Sequence, residues 1–280
     1  MRIAAIIAAR NEELHIGRCI EQWIADGCDV ILIDHESSDQ TVPIARAFLG
    51  KGLLSIEHLP WRGTFSLTEQ LVLKKRIAEE LDHDWLVHAD ADEWHCSPWG
   101  GTFADGIRRV AEEGFNCIEL DEFTFVPWPD ENFVHTDYHR RMLTYYAFEP
   151  TTPYLMRAWR RDLDADNLER GGHLLTSKTP LSPHPTHFIL RHYIALSLDH
   201  ACRKYIDRPY DPNELADGWH GTHATVRRDD LRLRPSPYLR RLSRWDALDF
   251  DKSRPTLEFF WDWKHRDEPG SAAGPAPPDH

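Results

Sequence analysis

The stretch that decides the fold is Trp85-Leu-Val-His-Ala-Asp-Ala-Asp-Glu-Trp94. Residues 85–89 form an apolar run of the length typical of a buried strand, and three carboxylates follow within four residues. Charge therefore begins where the predicted strand ends. Because ligands of open α/β sheets bind at the carboxyl ends of the strands, these acids are predicted to line a site.

The spacing of the acids favours a divalent cation. Asp90 and Asp92 alternate in a strand-like register, so both side chains can point into one space while the small Ala91 faces away. Mg²⁺ and Mn²⁺ take carboxylate oxygens and keep positions open for water or for phosphate oxygens. The alternative is that the acids cap and charge the first turn of a helix that begins near Ser97-Pro98.

Composition limits the class of protein. The 280 residues, 41% of them hydrophobic and 11 of them Trp, suffice for one large core, and we expect one catalytic domain. The net charge of −13 argues against binding to nucleic acid. The five cysteines are scattered and form no C-x-x-C pair, so reduced thiols are expected. The N-terminal run is too short for a signal peptide and no run reaches membrane-spanning length, which predicts a soluble, cytoplasmic protein.

The first sixty residues predict alternating strands and helices. Apolar runs at residues 3–8, 30–33 and 53–58 are predicted strands. Helices are predicted between them, one ending at Gly27 and one over residues 42–49. This alternation indicates a doubly wound α/β domain with a mainly parallel sheet and flanking helices. Another helix, carrying Gln70 and Lys74, then leads to the strand before Asp90.

A family resemblance emerges from the order of the polar segments. Arg10-Asn11-Glu12-Glu13 follows the first strand, and Asp34-His-Glu-Ser-Ser-Asp-Gln-Thr41 follows the second. Together with Gln70 and the Asp-x-Asp-Glu motif, this order resembles the family 2 type glycosyltransferases of the GT-A fold. The resemblance covers roughly the first hundred residues and is greatest to the branch with an aromatic after the motif, here Trp94.

The resemblance implies a function and a set of site residues. The enzyme would move a sugar, hexosyl in type, from a nucleotide-sugar donor to a hydroxyl acceptor with Mn²⁺ or Mg²⁺, inverting the anomeric centre. The implied donor-binding residues are Arg10, Asn11, Glu12, Asp34, Gln70, Lys74, Asp90, Ala91 and His173. The implied metal ligands are Asp90, Asp92 and His192. Family members often carry a second Asp where this chain has His35, which leaves the nucleotide open.

Several of these residues have simpler interpretations. Asp34 and Asp39 could merely cap the helix that follows them, and Arg10 could be a surface ion-pair residue. Arg203 and Lys204, on a helix predicted from Ser197 to Tyr205, could neutralise phosphate or lie on a solvated face.

Two further acids are candidates for the catalytic base. Asp121 and Glu122 lie in an otherwise apolar and aromatic segment after Cys117, where an unpaired carboxylate is costly to bury. Inverting transfer requires a base for the acceptor hydroxyl, and Glu122 or Asp121 could serve if this strand ran beside the one that carries Asp90. The alternative is that they are exposed acids at a strand edge.

The rest of the chain is less informative. Residues 127–153, rich in aromatic residues and Pro, are predicted to be a substrate-recognition loop or a buried aromatic cluster. Strands are predicted over residues 155–161 and 188–193. We expect the transferase domain to span residues 1–208, a helical and aromatic appendage to span 209–266, and residues 267–280 to be disordered.

Two other functions are compatible with the residues. A transition-metal hydrolase or oxygenase could be built from histidines together with the Asp-x-Asp, although no H-E-x-x-H or Cys-His zinc spacing is present. Its candidate ligands are His88, Asp90, Asp92, His184, His187, His192 and His200. The third possibility is a non-catalytic carbohydrate-binding protein.

Overall fold

The computed structural model describes residues 1–149 and 155–265, in which thirteen strands form three sheets. The strands are β1 (Ile3–Ala9), β2 (Asp29–Asp34), β3 (Leu53–His58), β4 (Trp85–Asp90), β5 (Glu93–Cys96), β6 (Cys117–Ile118), β7 (Leu120–Phe125), β8 (Thr144–Phe148), β9 (Ala158–Arg160), β10 (Ala165–Glu169), β11 (Leu174–Ser177), β12 (Phe188–Tyr193) and β13 (Arg240–Arg241). The α-helices are α1 (Ile16–Ala25), α2 (Thr41–Arg46), α3 (Leu67–Glu80), α4 (Phe103–Glu112), α5 (Tyr138–Arg141), α6 (Leu198–Tyr205) and α7 (Pro212–Ala216).

The first sheet has the predicted α/β architecture. Its strand order is β3-β2-β1-β4-β9-β6, and the first four strands are parallel, whereas β9 is antiparallel to both of its neighbours. The register pairs Ala9 with Asp34 and Ala8 with Asp90. The ends of β2, β1 and β4 therefore meet at one edge, as predicted from the sequence.

Helices cover both faces of this sheet because each presents an apolar stripe at helical spacing. On one face α1 buries Ile16, Ile20 and Trp23. On the other face α3 buries Leu73 and Ile77. Between α2 and β3, Gly52 has φ +113°, and a Cβ there would lie 2.6 Å from Ile24, so the close packing of this turn on α1 requires glycine.

The second sheet has the order β13-β8-β7-β12-β5. Strand β5 follows the Asp-x-Asp directly and pairs antiparallel with β12, which pairs parallel with β7. The chain thus passes from the first sheet into the second at Asp92. This corrects the alternative in which the acids begin a helix, because α4 begins only at Phe103, where Thr102 and Asp105 form a capping box.

Residues 127–149 contain more structure than a loop. They form α5 and β8, and Tyr138, Tyr145 and Tyr146 are buried there. The interpretation as a buried aromatic cluster therefore holds for this part, whereas residues 150–153 of the same predicted segment lie outside the described residues.

We call residues 209–265 the C-terminal segment. Its helices are short, namely α7 and two 3-10 turns at His223–Thr225 and Phe260–His265, and β13 pairs with β8. Trp261 and Trp263 are buried in a cluster with Ile194 and Tyr205. The predicted disorder of residues 267–280 falls outside the described residues. Within the described part of the chain, every helix is too short or too polar to cross a membrane.

The C-terminal segment is tied to α3 by one carboxylate. Glu214 accepts hydrogen bonds from the backbone N–H groups of Leu67 (3.1 Å) and Thr68 (2.6 Å) at the start of the helix, and from the Ser66 hydroxyl (3.0 Å). His220 lies 2.7 Å from the same carboxylate. Burial raises the pKa of Glu214, but these hydrogen bonds outweigh burial and lower it to about 2. A negative charge at a helix N-terminus is stabilising, so this contact fixes the helix that carries Gln70 and Lys74.

We predict that Glu214→Gln reduces the free energy of unfolding by about 1–3 kcal/mol at pH 7, because hydrogen bonds to a charged acceptor are lost. Urea denaturation measures the change. Since the folded pKa lies near 2 and the ordinary value is 4.5, the contribution is complete above pH 4.5 and is lost as the pH falls towards 2. The difference between wild type and variant should shrink over that range.

The matched control is Glu80→Gln, at the exposed C-terminal end of the same helix, which should change stability by less than about 0.5 kcal/mol. If the two variants were equally stable, the capping role of Glu214 would be refuted.

Candidate active site

A cleft lies at the edge where β1, β2 and β4 end. It consists of two adjoining cavities of about 590 and 180 Å³, both of which are lined by Arg10, Glu12, Lys204 and Arg208. The larger extends over Asn11 and Trp61, and the smaller reaches the Asp-x-Asp motif and His192. One side of the cleft thus comes from the first sheet and the other from α6 and the residues after it.

The loops after β1 and β2 hold each other in place. Asn11 has φ 55°, and its side-chain oxygen accepts a hydrogen bond from the Ser38 backbone N–H at 2.8 Å. Arg10 Nη1 donates to the carbonyl oxygens of His35 (2.6 Å) and Glu36 (2.5 Å). The Arg10 guanidinium also lies 3.5 Å from the ring centroid of Trp61. These contacts present an ordered polar rim to the larger cavity.

Asp34 and Asp39 both make local contacts of the capping type. Asp34 accepts a hydrogen bond from the Ser37 backbone N–H at 3.1 Å, and Asp39 accepts one from Thr41 N–H at the start of α2 at 2.9 Å. Gln70 lies 3.2 Å from the His35 ring and reaches the smaller cavity. Asp39 therefore bonds to the first residue of α2 from the position before its N-cap, Gln40, and also lines the larger cavity, while Asp34 stabilises the loop after β2.

Asp90 lies between two buried cations. Arg157 donates to one of its oxygens at 2.8 Å and Lys74 to the other at 3.2 Å. Arg157 also pairs with Glu93 at 2.8 Å, and Glu93 accepts a hydrogen bond from the Asp90 backbone N–H at 3.0 Å. Burial raises the pKa of Asp90, but Lys74 and then Arg157 hold it well below its usual range. The motif is thus kept ionised at the end of β4.

Asp92 is the centre of a second cluster of ion pairs. His192 lies between two carboxylates, with Nδ1 2.7 Å from Glu122 and Nε2 3.2 Å from Asp92. Lys204 Nζ lies 2.5 Å from the same Asp92 oxygen, Oδ2, and 3.4 Å from Glu12. Three carboxylates therefore contact two positively charged side chains, so that each charged group in this cluster has a neighbour of opposite charge.

The pKa values of these paired groups shift in the directions that ion pairing requires. Burial lowers the pKa of His192, but Asp92 and Glu122 outweigh burial and raise it well above its usual range. Burial raises the pKa of Asp92, but Lys204 and His192 hold it well below the ordinary value. Burial also raises the pKa of Glu12, which Lys204 only partly offsets. Asp92 is thus a carboxylate held by an imidazolium and an ammonium.

The structure brings Glu122 and Asp121 to different places. Neighbouring residues of a strand point to opposite faces, and β7 belongs to the second sheet rather than running beside β4. Glu122 joins Asp92 through His192, whereas Asp121 contacts His187 at 2.8 Å and Lys252 at 2.6 Å. The expectation that this strand runs beside β4 is therefore wrong, and neither acid lines the cleft, although Glu122 contacts His192, which does.

Of the predicted donor-binding residues, six line the cleft, namely Arg10, Asn11, Glu12, Gln70, Asp90 and Ala91. Asp34, Lys74 and His173 are not among the residues that line the two cavities. Lys74 lies behind the motif, where it also donates to the Ala89 carbonyl at 2.9 Å. His173 is half-buried, and burial followed by the charge of Arg157 lowers its pKa to about 4.

The acids at the cleft fit a divalent ion that shares its ligands with a substrate. Among residues 1–149 and 155–265, no three His, Cys, Asp or Glu side chains form a group that could hold a metal ion by themselves. Mg²⁺ is usually held by one or two carboxylates together with substrate phosphates and water. His192 and Lys204 both contact the Oδ2 atom of Asp92, so its Oδ1 atom takes part in neither of these hydrogen bonds. Asp92 can therefore offer a carboxylate oxygen, whereas His192, protonated between Asp92 and Glu122, can bind a metal ion only after the ion displaces the Nε2 proton.

The histidines of the alternative metal-enzyme site are dispersed. His184 contacts Glu113, His187 contacts Asp121 and Glu119, and His88 packs on Trp159. His200 lies against His15. Because only His192 reaches the Asp-x-Asp, these side chains do not form the transition-metal centre considered from the sequence.

Sequence reasoning missed several residues of the site. Arg157 lies in the strand predicted over residues 155–161, where a lone Arg between Met156 and Ala158 in an apolar run is a sign of a buried ion pair. Arg208, Tyr210, His220, His223 and Phe259 also line the smaller cavity. They come from segments without strong periodicity, so only the tertiary structure reveals them.

Part of the chain is similar in sequence to curated glycosyltransferases. No protein-family model matches the chain. An uncharacterized glycosyltransferase of Rickettsia typhi is 34% identical over 93 residues, which cover 33% of this chain and 28% of the relative. The lipopolysaccharide core biosynthesis glycosyltransferase LpsC of Rhizobium meliloti is 28% identical over 92 residues, or 32% of each chain. The chain thus spans about a third of the length of the curated relatives it matches.

Similar solved structures include two proteins in complex with UDP or a UDP-sugar. S. aureus TarS 1-349 in complex with UDP-GlcNAc has a TM-score of 0.43 and 13% identity, covering 74% of this chain and 62% of that chain. Glucosyl-3-phosphoglycerate synthase from Mycobacterium tuberculosis, in complex with Mn²⁺, UDP and glucosyl-3-phosphoglycerate, has a TM-score of 0.32 and 22% identity. It covers 43% of this chain and 44% of that chain.

We predict that Arg157→Met lowers the free energy of unfolding by about 3–5 kcal/mol, because Asp90 and the buried Glu93 lose their shared cation. Urea denaturation at neutral pH measures the loss. Arg161→Met is the control, since Arg161 is exposed and its replacement should cost less than about 0.5 kcal/mol. Equal stability of the two variants would show that the Arg157 pairs do not hold the motif.

Proposed function

We propose that the protein is a glycosyltransferase that moves a sugar from a nucleotide-sugar donor to a hydroxyl acceptor with a divalent metal ion, inverting the anomeric centre. One observation carries the proposal: the Asp-x-Asp lies at the end of β4, beside the polar loop of β1 and opposite the cations of α6. The partial sequence similarity to curated glycosyltransferases supports it.

The donor would lie along the ends of the parallel strands. Arg10, Asn11 and Gln70 offer hydrogen bonds to a nucleoside, and the small Ala91 leaves room for a ligand to approach β4. Arg203, Lys204 and Arg208 line the cleft from the opposite side and can neutralise a diphosphate. This pattern of polar strand ends facing a basic helix suits an anionic donor.

Asp92 would hold the metal ion with Asp90 beside it, and His192 would join them once the ion displaces the Nε2 proton of the imidazolium. A bound Mg²⁺ or Mn²⁺ supplies neutralisation of the charge that develops on the departing diphosphate. Glu122 positions His192 through its hydrogen bond to Nδ1, and Lys204 places a further positive charge 2.5 Å from Asp92. Asp90, held by Lys74 and Arg157, stays ionised without needing the ion.

Glu122 is the better candidate for the base. It contacts His192, which lines the cleft, whereas the partners of Asp121, His187 and Lys252, do not. In an inverting displacement the acceptor hydroxyl loses its proton to a group beyond the sugar. Glu122 would take that proton or hold His192 in place, and the comparison of variants below separates Glu122 from Asp121.

We predict that Asp92→Asn weakens the binding of UDP in the presence of Mn²⁺ by roughly tenfold or more, because a neutral amide is a poor metal ligand. Isothermal titration calorimetry of both proteins, with and without Mn²⁺, measures the effect. The exposed Asp130→Asn serves as the control and should bind like wild type. Equal affinity of Asp92→Asn and wild type would remove the Asp-x-Asp from the metal site.

A panel of UDP-, GDP- and dTDP-sugars, tested for hydrolysis with Mn²⁺, should reveal one donor that turns over. With that donor, Glu122→Gln should lower kcat by about 10²- to 10⁴-fold while donor binding is retained, as expected for loss of a general base. Asp121→Asn should keep most of the activity. The reverse result would transfer the base role to Asp121, and full activity of both variants would exclude both residues.

A further inference from the structure

A third cavity, of about 230 Å³, lies beside β5, an edge strand of the second sheet. Trp94 and Cys96 of β5 line it, together with the end of α1 and with Trp245 and Leu248 of the C-terminal segment. None of the described residues that line it also lines the two cavities of the cleft. Since pockets for drug-sized ligands measure roughly 300–1,000 Å³, this volume suits a ligand of one ring.

The two tryptophans of this third cavity are held in place by side chains outside it. Arg140 lies over the Trp245 ring, 4.8 Å from its centroid, and His139 contacts Trp94 edge to face with 4.1 Å between the centroids. Neither His139 nor Arg140 is among the described residues that line the cavity. Both indoles remain partly exposed, Trp245 to 37%. Each ring can therefore meet a ligand in an orientation that is fixed before binding.

Arg191 fixes the backbone that carries Trp245. It is 4% exposed on β12, and its guanidinium donates to the carbonyl oxygens of Trp245 and of Ala247, the latter at 2.8 Å. Among the described residues that line the cavity, Arg191 is the one lysine or arginine, and both of its Nη atoms are engaged in these hydrogen bonds. The cavity therefore does not favour a phosphate or another anion.

An amide and two carboxylates supply hydrogen-bond acceptors beside the indoles. Gln22 Nε2 donates to Asp26 at 2.5 Å, and the Phe103 backbone N–H donates to the other Asp26 oxygen at 3.3 Å. Burial raises the pKa of Asp26 to about 6, so this carboxyl is mainly ionised at neutral pH. Asp246 pairs with Arg244 at 2.5 Å. Because a glutamine amide has four hydrogen-bonding positions, the partly exposed Gln22 keeps its oxygen for a hydroxyl of a ligand.

We propose that this third cavity is a second carbohydrate site, in which Trp94 and Trp245 pack on one neutral sugar unit and Gln22 and Asp26 accept hydrogen bonds from its hydroxyl groups. A sugar offers hydroxyl donors together with a C–H face that packs on an indole. An amine would also suit indoles and carboxylates, but Asp26 and Asp246 already have partners. The site goes beyond the proposed transfer reaction, and sugar binding there does not depend on that reaction.

The test follows the indole N–H signals of the full chain by NMR after labelling of tryptophan with ¹⁵N. Trp94→Phe and Trp245→Phe assign the two signals that matter. Methyl glycosides of glucose, galactose, mannose and N-acetylglucosamine are then titrated, and at least one should shift both signals to saturation. Trp245→Ala should weaken its binding about tenfold and Gln22→Ala about three- to tenfold. Saturating UDP with Mn²⁺ should leave the glycoside affinity unchanged, because the cleft is a separate cavity.

Trp219→Ala is the matched control, because it removes a half-buried indole from the same segment at a residue that lines neither this cavity nor the cleft. It should keep the glycoside affinity of wild type. Thermal unfolding verifies that each variant is folded, and Gln22→Ala decides the matter if Trp245→Ala does not fold.

Four results would overturn the second carbohydrate site. They are the absence of any glycoside that shifts the Trp94 and Trp245 signals, unchanged affinity in folded Gln22→Ala and Trp245→Ala, displacement of the glycoside by UDP, and tighter binding of tetramethylammonium than of every glycoside. The last result would indicate a site for a cation. The proposed transfer reaction is tested separately by donor hydrolysis and UDP binding, so either proposal can fail without the other.

Discussion

Three buried cations, Lys74, Arg157 and Lys204, hold the acidic stretch that joins the two large sheets. Arg157 binds Asp90 and Glu93 on one side of the turn, and Lys204 binds Asp92 on the other. Without these partners, several carboxylates would be buried unpaired at the end of β4, at a cost that the fold could not offset. The position of the cleft therefore follows from the need to neutralise these acids, and the same pairing keeps them ionised for use.

The two ion clusters divide the stretch into a buried half at Glu93 and a half at Asp92 that lines the cleft. Glu93 and Arg157 are buried and satisfy each other, and Glu93 also fixes the turn through the Asp90 backbone. Asp92 is held by groups that also line the cleft, Lys204 and His192, which a substrate or an ion can reach. One short run of acids thus both joins the sheets and faces the ligand space.

The C-terminal segment closes the cleft from outside the first sheet. Glu214 caps α3, and the aromatic rings that follow pack against α6 and line the smaller cavity. Helix α3 carries Gln70 and Lys74, and α6 carries Lys204, so one segment constrains both sides of the site. The proposed transferase site is accordingly a property of the described chain as a whole rather than of its first hundred residues.

The sequence alone determined the four parallel strands of the first sheet and the helices beside them. Apolar runs and helical stripes are local patterns that indicate directly which residues are buried. The sequence also placed Asp90 and Asp92 at the edge of that sheet, since polar residues that follow buried strands meet at one edge of a parallel sheet, whereas His192 followed only from the family resemblance. Only the tertiary structure separated Glu122 from Asp121, because that choice depends on the sheet that β7 joins and on which face each residue points to. Only the tertiary structure identified Arg157 as the partner of Asp90 and showed that Tyr210 and Phe259 line the cleft. Contacts between residues that are distant in the chain produce no periodic pattern in the sequence.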